Sequence, residues 1–285
     1  MACRCIRTIA VVTASLLLLA SCGSSQVARD RTPAELGHVH DLVAVDGRLL
    51  LATHAGLYEL VGDRPVPVGA GFHDLMAFSA DEEGTLFASG HPDLQADTLR
   101  EPGEPPLLGL LVSGDGGVTW TPRSLLGEAD FHALVVTGDR IVGVDSSSAS
   151  VLVSLDGVEW EHRGAIEALD LAVDPRNDKA MIAVAYDGST LASDDGGWTW
   201  AAGESPGLVA VDWPATGGPV ALGIDGDVHR ADGMAGPWVR VGSLGAPGEA
   251  LLVSGEEMWA AVEGPVVLFS HDGGVTWTKL FDSGA

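Results

Sequence analysis

Short apolar runs recur along the chain from about residue 38 to its end, separated by turns rich in Gly, Pro and Asp. They fall into sets of three. First runs begin at His40, His73, His132, Leu169, Leu208 and Ala250, and second runs at Leu49, Leu86, Ile141, Met181, Val220 and Met258. Third runs begin at Gly56, Leu110, Val151, Ser189, Asp227 and Val266. Runs this short, bounded by turn residues and apolar on both faces, predict strands buried on both sides rather than amphipathic helices. Six sets predict six repeated units between about His38 and Ala285.

The turn after the third run carries the sharpest signal. Trp120, Trp160, Trp200, Trp238 and Trp277 share one repeat register and account for five of the 8 Trp. Repeats of this length indicate propellers or solenoids. The segments Ser113–Trp120, Ser193–Trp200 and Ser270–Trp277 are near copies of Ser-x-Asp-Gly-Gly-x-Thr-Trp. Ser154–Trp160 is one residue shorter, and Arg230–Trp238 is degenerate. The Asp of each turn, at Asp115, Asp156, Asp195, Asp232 and Asp272, suits capping of its own backbone. Gly supplies the unusual φ, and Trp packs back on the sheet.

These turns resemble the Asp-box, or BNR, repeat of sialidase-like β-propellers. The resemblance implies an all-β, six-bladed propeller of four-stranded antiparallel blades. Each box would be the hairpin between a blade's third and fourth strands, a structural element. The first unit has only Gly62-Asp63-Arg64 where a box is expected. Unit two carries an insertion, His91 to Gly109, between its second and third runs, placed to act as a lid. No strand exchange is evident where the last unit would meet the first.

Charge and leader narrow the function classes. The formal charge is −25, from 15 Lys+Arg and 40 Asp+Glu, which excludes a nucleic-acid partner. Arg4 and Arg7, then an apolar run from Ile9 to Ala20, read as a signal peptide. It ends in Leu19-Ala20-Ser21-Cys22, which resembles a bacterial lipobox; the competing expectation is an ordinary signal peptide cut near Ser21, with no lipid on Cys22. The domain scheme is a leader over 1–21, a tether over 22–37 and the propeller over 38–285. The resemblance implies lipidation of Cys22 and anchoring of a monomer to the outer side of the bacterial cell membrane. A two-chain lipid suffices for stable attachment. All 3 Cys lie at or before position 22, so the exported domain has no disulfide and depends on its core.

Candidate chemistry gathers on one face. His40, His73 and His132 read as equivalent starts of first strands, and His38 shares a strand face with His40. His54 and His91 end second strands, with Asp145 in the comparable place in unit three. Six of the 9 His thus point to one sector of the channel mouth, whereas His162, His229 and His271 lie in outer strands or turns. Imidazoles with carboxylates predict a divalent transition-metal site for Zn, Cu, Ni or Fe. The competing expectation is that these histidines pack and bond within the inner strands. Asp41, Asp74, Asp93 and Asp130 are expected to orient the imidazoles.

Further phrases, among them His38-Val-His, Ser89-Gly-His-Pro-Asp and Gly127-Glu-Ala-Asp-Phe-His, resemble bacterial propeller lipoproteins labelled glycosylhydrolase- or exo-sialidase-like. That implies three functions. One is a module binding a metal, small molecule, glycan or protein at the mouth. The second is a glycoside hydrolase acting on envelope or environmental glycans. The third is an assembly factor for a membrane complex. A sialidase needs an arginine triad and a Tyr nucleophile. Arg48, Arg140 and Arg176 precede second strands, away from the mouth, and only Tyr58 and Tyr186 are present.

Overall fold

A computed structural model describes residues 36–284 except 95–98, 101, 204 and 235. The leader, the lipobox and most of the tether lie outside the described residues, as does part of the blade-two insertion.

The described residues form six four-stranded antiparallel sheets, each built from consecutive strands. Blade 1 holds β1 (Val39–Val45), β2 (Arg48–Thr53), β3 (Gly56–Val61) and β4 (Arg64–Pro67). Blade 2 holds β5 (Asp74–Ala80), β6 (Leu86–His91), β7 (Leu110–Ser113) and β8 (Thr121–Ser124). Blade 3 comprises β9 (Phe131–Thr137), β10 (Arg140–Asp145), β11 (Ser150–Ser154) and β12 (Glu161–Ala165). In blade 4 they are β13 (Asp170–Val173), β14 (Met181–Val184), β15 (Thr190–Ser193) and β16 (Ala201–Gly203). Blade 5 has β17 (Leu208–Asp212), β18 (Val220–Gly223), β19 (Asp227–Arg230) and β20 (Val239–Ser243). Blade 6 ends the ring with β21 (Gly248–Ser254), β22 (Glu257–Val262), β23 (Val266–Ser270) and β24 (Thr278–Asp282). The protein is a six-bladed β-propeller. Among the described residues, no helix is long and apolar enough to cross a membrane.

Burial explains why the second strands read as unbroken apolar runs. Every residue of β14 and β18 is buried, because both faces pack against neighbouring blades. The six hydrophobic clusters fall between consecutive blades, including the seam where Leu36, Val39 and Tyr58 meet Ala250, Val267 and Phe281. Trp120, Trp160, Trp200, Trp238 and Trp277 each pack against the cluster shared with the preceding blade. The seam has no such Trp, since blade 1 lacks the box. The ring closes without strand exchange. Glu249 Oε2 accepts the Val39 N–H at 3.1 Å across it.

The box turns are built by their own side chains. In blade 4, Asp195 accepts the Thr199 N–H and Oγ1–H at 3.0 and 2.7 Å, and buried Ser193 Oγ accepts the Gly197 N–H at 2.9 Å. The turns at Ser113 and Ser270 repeat this pattern. In the shorter turn, Asp156 caps Val158 and Glu159. The Asp232 turn lacks the Ser and contains a cis Gly236–Pro237 peptide.

Arginines clip four of these turns to the blade before them. Arg48 donates to Gly116 O at 3.2 Å and Arg123 to Asp156 O at 2.9 Å. Arg163 donates to Gly196 O, and Arg230 to Gly273 O at 3.3 Å. On the channel side carboxylates do similar work. Asp41, Asp170 and Asp212 each accept a backbone N–H from the next blade, at Phe78, Val211 and Val253.

Candidate metal centre

The register corrects the alignment of the inner strands. In five blades the first strand is bulged near its start, leaving one unpaired residue: His40, Met76, His132, Val209 or Glu249. A bulge re-aims the side chain it carries, here at the mouth of the channel. The equivalent of His40 and His132 in blade 2 is therefore Met76, not His73. Asp74 and Asp130 stand two residues earlier, matching His38. At the second-strand ends, Asp145 pairs with Phe131 as Thr53 pairs with Val39. Ser146, not Asp145, is thus the counterpart of His54 and His91.

Three donor atoms meet closely between blades 1 and 2. His54 Nδ1 lies 2.8 Å from Asp74 Oδ1 and 3.1 Å from His40 Nε2. His40 Nε2 lies 3.3 Å from the same Asp74 oxygen. The triangle cannot be filled by hydrogen bonds alone. Each ring nitrogen carries at most one proton, and a proton lies along only one edge. Ligands bound at 2.0–2.1 Å in a tetrahedron sit about 3.3 Å apart, close to these three spacings.

A second, more open set lies between blades 2 and 3. His132 Nε2 and His91 Nε2 stand 3.1 and 3.4 Å from Asp130 Oδ2. All three donor atoms fall within 4.8 Å of one another. Ser146 Oγ donates to the same oxygen at 2.8 Å. The sets touch through His91, whose Nδ1 lies 3.4 Å from Asp74 Oδ2.

The remaining histidines at this end have other partners. His38 Nδ1 bonds Glu249 Oε1 at 3.0 Å, although its ring stands only 4.8 Å from that of His40. His73 is buried, and its Nδ1 accepts the Asp93 N–H at 3.1 Å, so it joins neither set. Asp145 is already occupied, accepting from Ser147 and Ser148 in its own turn and from Asp130 N just before β9. Tyr186 and Glu249 complete the mouth. Tyr186 OH lies 3.3 Å from His132 Nδ1. Neither is a candidate on the histidine pattern, because they come from blades 4 and 6, where no histidine marks the position. Glu249 aligns in the repeat with the first-strand starts, and the pairing of β21 with β22 places it at the bulge.

Electrostatics follow these contacts. Burial opposes charge on Asp74, yet hydrogen bonds from His40, His91 and His54 outweigh it and hold the carboxyl well below its ordinary range. Asp130 is likewise held low, against burial, by His132, His91 and Ser146. Hydrogen bonds to Asp130 and Asp74 push His91 up to about 10. Burial pulls His40 down, only partly opposed by Asp74. The Glu249 bond raises His38. Behind this array the mouth opens into a cavity of about 200 Å³, lined by His38, His40, His132, Asp41, Asp170 and Glu249.

No family model and no curated protein matches the chain. Solved propellers do. One is YCF48 bound to D1 peptide, 17% identical with a TM-score of 0.52, covering 88% of this chain and 82% of that one. Another is the WD40 β-propeller domain of Doa1, 13% identical with a TM-score of 0.56, covering 85% and 81%. The chain is also similar to a GH74 xyloglucanase from Xanthomonas campestris, at 16% identity and a TM-score of 0.51. That likeness covers 85% of this chain but 45% of the enzyme. At such identities the likeness establishes the fold alone.

Proposed function

We propose that this propeller binds a divalent transition-metal ion at its channel mouth through His40 Nε2, His54 Nδ1 and Asp74 Oδ1. The observation that carries the reading is the donor triangle, with edges of 2.8, 3.1 and 3.3 Å. Two imidazoles and a carboxylate suit Zn²⁺, Fe²⁺, Ni²⁺ or Cu²⁺ and leave positions open for water or a ligand. The test is uptake of Zn²⁺ by the purified chain beside a His40→Ala/His54→Ala variant, read by elemental analysis after dialysis. The variant is expected to hold one equivalent less. Equal metal in both would overturn the assignment.

The module works outside the cytoplasm on this reading, held to the membrane through lipidated Cys22. Leu19-Ala20-Ser21-Cys22 supports that, and the capped Ser-x-Asp-Gly turns support a place among Asp-box propellers. Cys22→Ser is expected to move the protein from the membrane to the soluble fraction. An unchanged membrane fraction would refute the anchor.

A glycosidase reading has less support. It requires a carboxylic acid kept protonated beside the substrate. The mouth carboxylates Asp74 and Asp130 are instead held ionised, and Asp41 and Asp170, whose acid forms burial favours, are each engaged by two backbone N–H groups as links between blades. The sialidase arginines also have other work: Arg48 pairs with Glu59, Arg140 with Asp178 and Arg176 with Asp174.

A further inference from the structure

We infer that His91, Asp130 and His132 form a second divalent-metal centre, coupled to the first through the His91–Asp74 hydrogen bond. Only the coupling rests on the first centre. The second set stands on its own geometry and on one further observation.

That observation is an orphaned oxygen. Asp130 Oδ2 takes His132, His91 and Ser146, while Asp130 Oδ1 is buried and has no hydrogen-bond partner among the described residues. An ionised carboxylate with an unsatisfied buried oxygen is costly, and a cation beside it removes the cost. The two imidazoles face the other oxygen of this carboxylate, Oδ2, with Nε2 and are already oriented from behind. His132 Nδ1 meets Tyr186 OH at 3.3 Å, and His91 Nδ1 meets Asp74 Oδ2 at 3.4 Å. A metal-bound imidazole whose other nitrogen donates to a carboxylate is the usual arrangement behind a metal ligand. Nitrogen and oxygen donors in this ratio select borderline transition-metal ions over Ca²⁺ or Mg²⁺, and Co²⁺ serves as a spectroscopic probe for such ions at both centres.

The coupling follows from Asp74 having two tasks. Its Oδ1 belongs to the first triangle, and its Oδ2 fixes the ring of His91, a ligand of the second. A metal on His91 Nε2 leaves the proton on Nδ1, where it donates to Asp74 and holds that carboxylate in place. Occupation of either centre therefore orders a ligand of the other, which is positive linkage. Losing such an orienting partner typically weakens a metal site about 10–100-fold.

Co²⁺ alone, titrated into the purified full chain and followed by absorption and calorimetry, tests both parts. Wild type is expected to take two equivalents, and His54→Ala and His132→Ala one each. Asp74→Asn should keep one, bound roughly 10–100-fold more weakly than in His54→Ala. His132→Gln serves as the gentler variant should His132→Ala lose its native circular dichroism. One equivalent in wild type, lost in His54→Ala and kept in His132→Ala, overturns the second centre and leaves the first standing. One equivalent lost in His132→Ala and kept in His54→Ala supports the second centre and overturns the first. Equal affinity in Asp74→Asn and His54→Ala refutes the coupling, and no bound Co²⁺ in wild type overturns both centres.

Discussion

Asp74 faces three imidazoles with two oxygens, so its ionised form organises the mouth more than any single histidine does. The residue scale also shows which parts of the box turns matter. The eye falls on Asp and Trp, yet the Asp side chains sit at the surface, where capping is screened and replaceable by water. Ser193 is 2% exposed, and its Oγ satisfies the buried Gly197 N–H while donating to Asp195 Oδ1 at 2.8 Å. Ser193→Ala strands that N–H. A loss of about 1–3 kcal/mol in unfolding free energy by denaturant titration is expected. A change below a few tenths would mean that the turn does not depend on this bond.

At the scale of elements, the strand order and the box hairpins were legible because they rest on local rules. Apolar runs buried on both faces, Gly turns and repeated Trp do not depend on distant partners. Register was less legible. The string His73-Asp-Leu mimics His40-Asp-Leu, and only pairing shows that β5 starts three residues out of step, with Asp74 opposite His91. The cause lies partly in β6. Gly90 has φ of 131°, and a Cβ there would stand 2.1 Å from Asp74 O, so the two strands approach more closely than side chains permit. That approach brings His91 beside Asp74 and leaves His73 turned to Asp93. Grouping His40, His54, His91 and His132 by the mouth needed only the repeat. Dividing them into two sets needed the bulges, which no periodicity encodes.

Carboxylates latch three of the junctions between blades on the channel side, and this gives the stability of the ring a pH dependence. Asp170 accepts N–H bonds from Leu171 and Val211, and Asp212 from Trp213 and Val253, so each joins its blade to the next. Both line the central channel and are half-buried there. Burial there disfavours charge more than the backbone bonds favour it, raising Asp170 to about 7 and Asp212 to about 6. The unfolded chain releases these protons near pH 4. Between about pH 4 and 7 the native state therefore holds protons that the unfolded state has lost, and stability falls as pH rises through that window. His40 acts oppositely in part of the same range. Its lowered pKa keeps it neutral where the unfolded residue is charged, so its contribution is lost as pH falls. The two effects separate by difference. Unfolding free energies of wild type and Asp170→Asn/Asp212→Asn are to be compared at pH 5 and pH 7.5. An Asn amide resembles the protonated acid and cannot ionise, so wild type should lose on the order of 2 kcal/mol relative to the variant over that interval. A difference that stays constant with pH would show that both carboxylates ionise as ordinary surface groups do. The latches would then be charged hydrogen bonds throughout the neutral range.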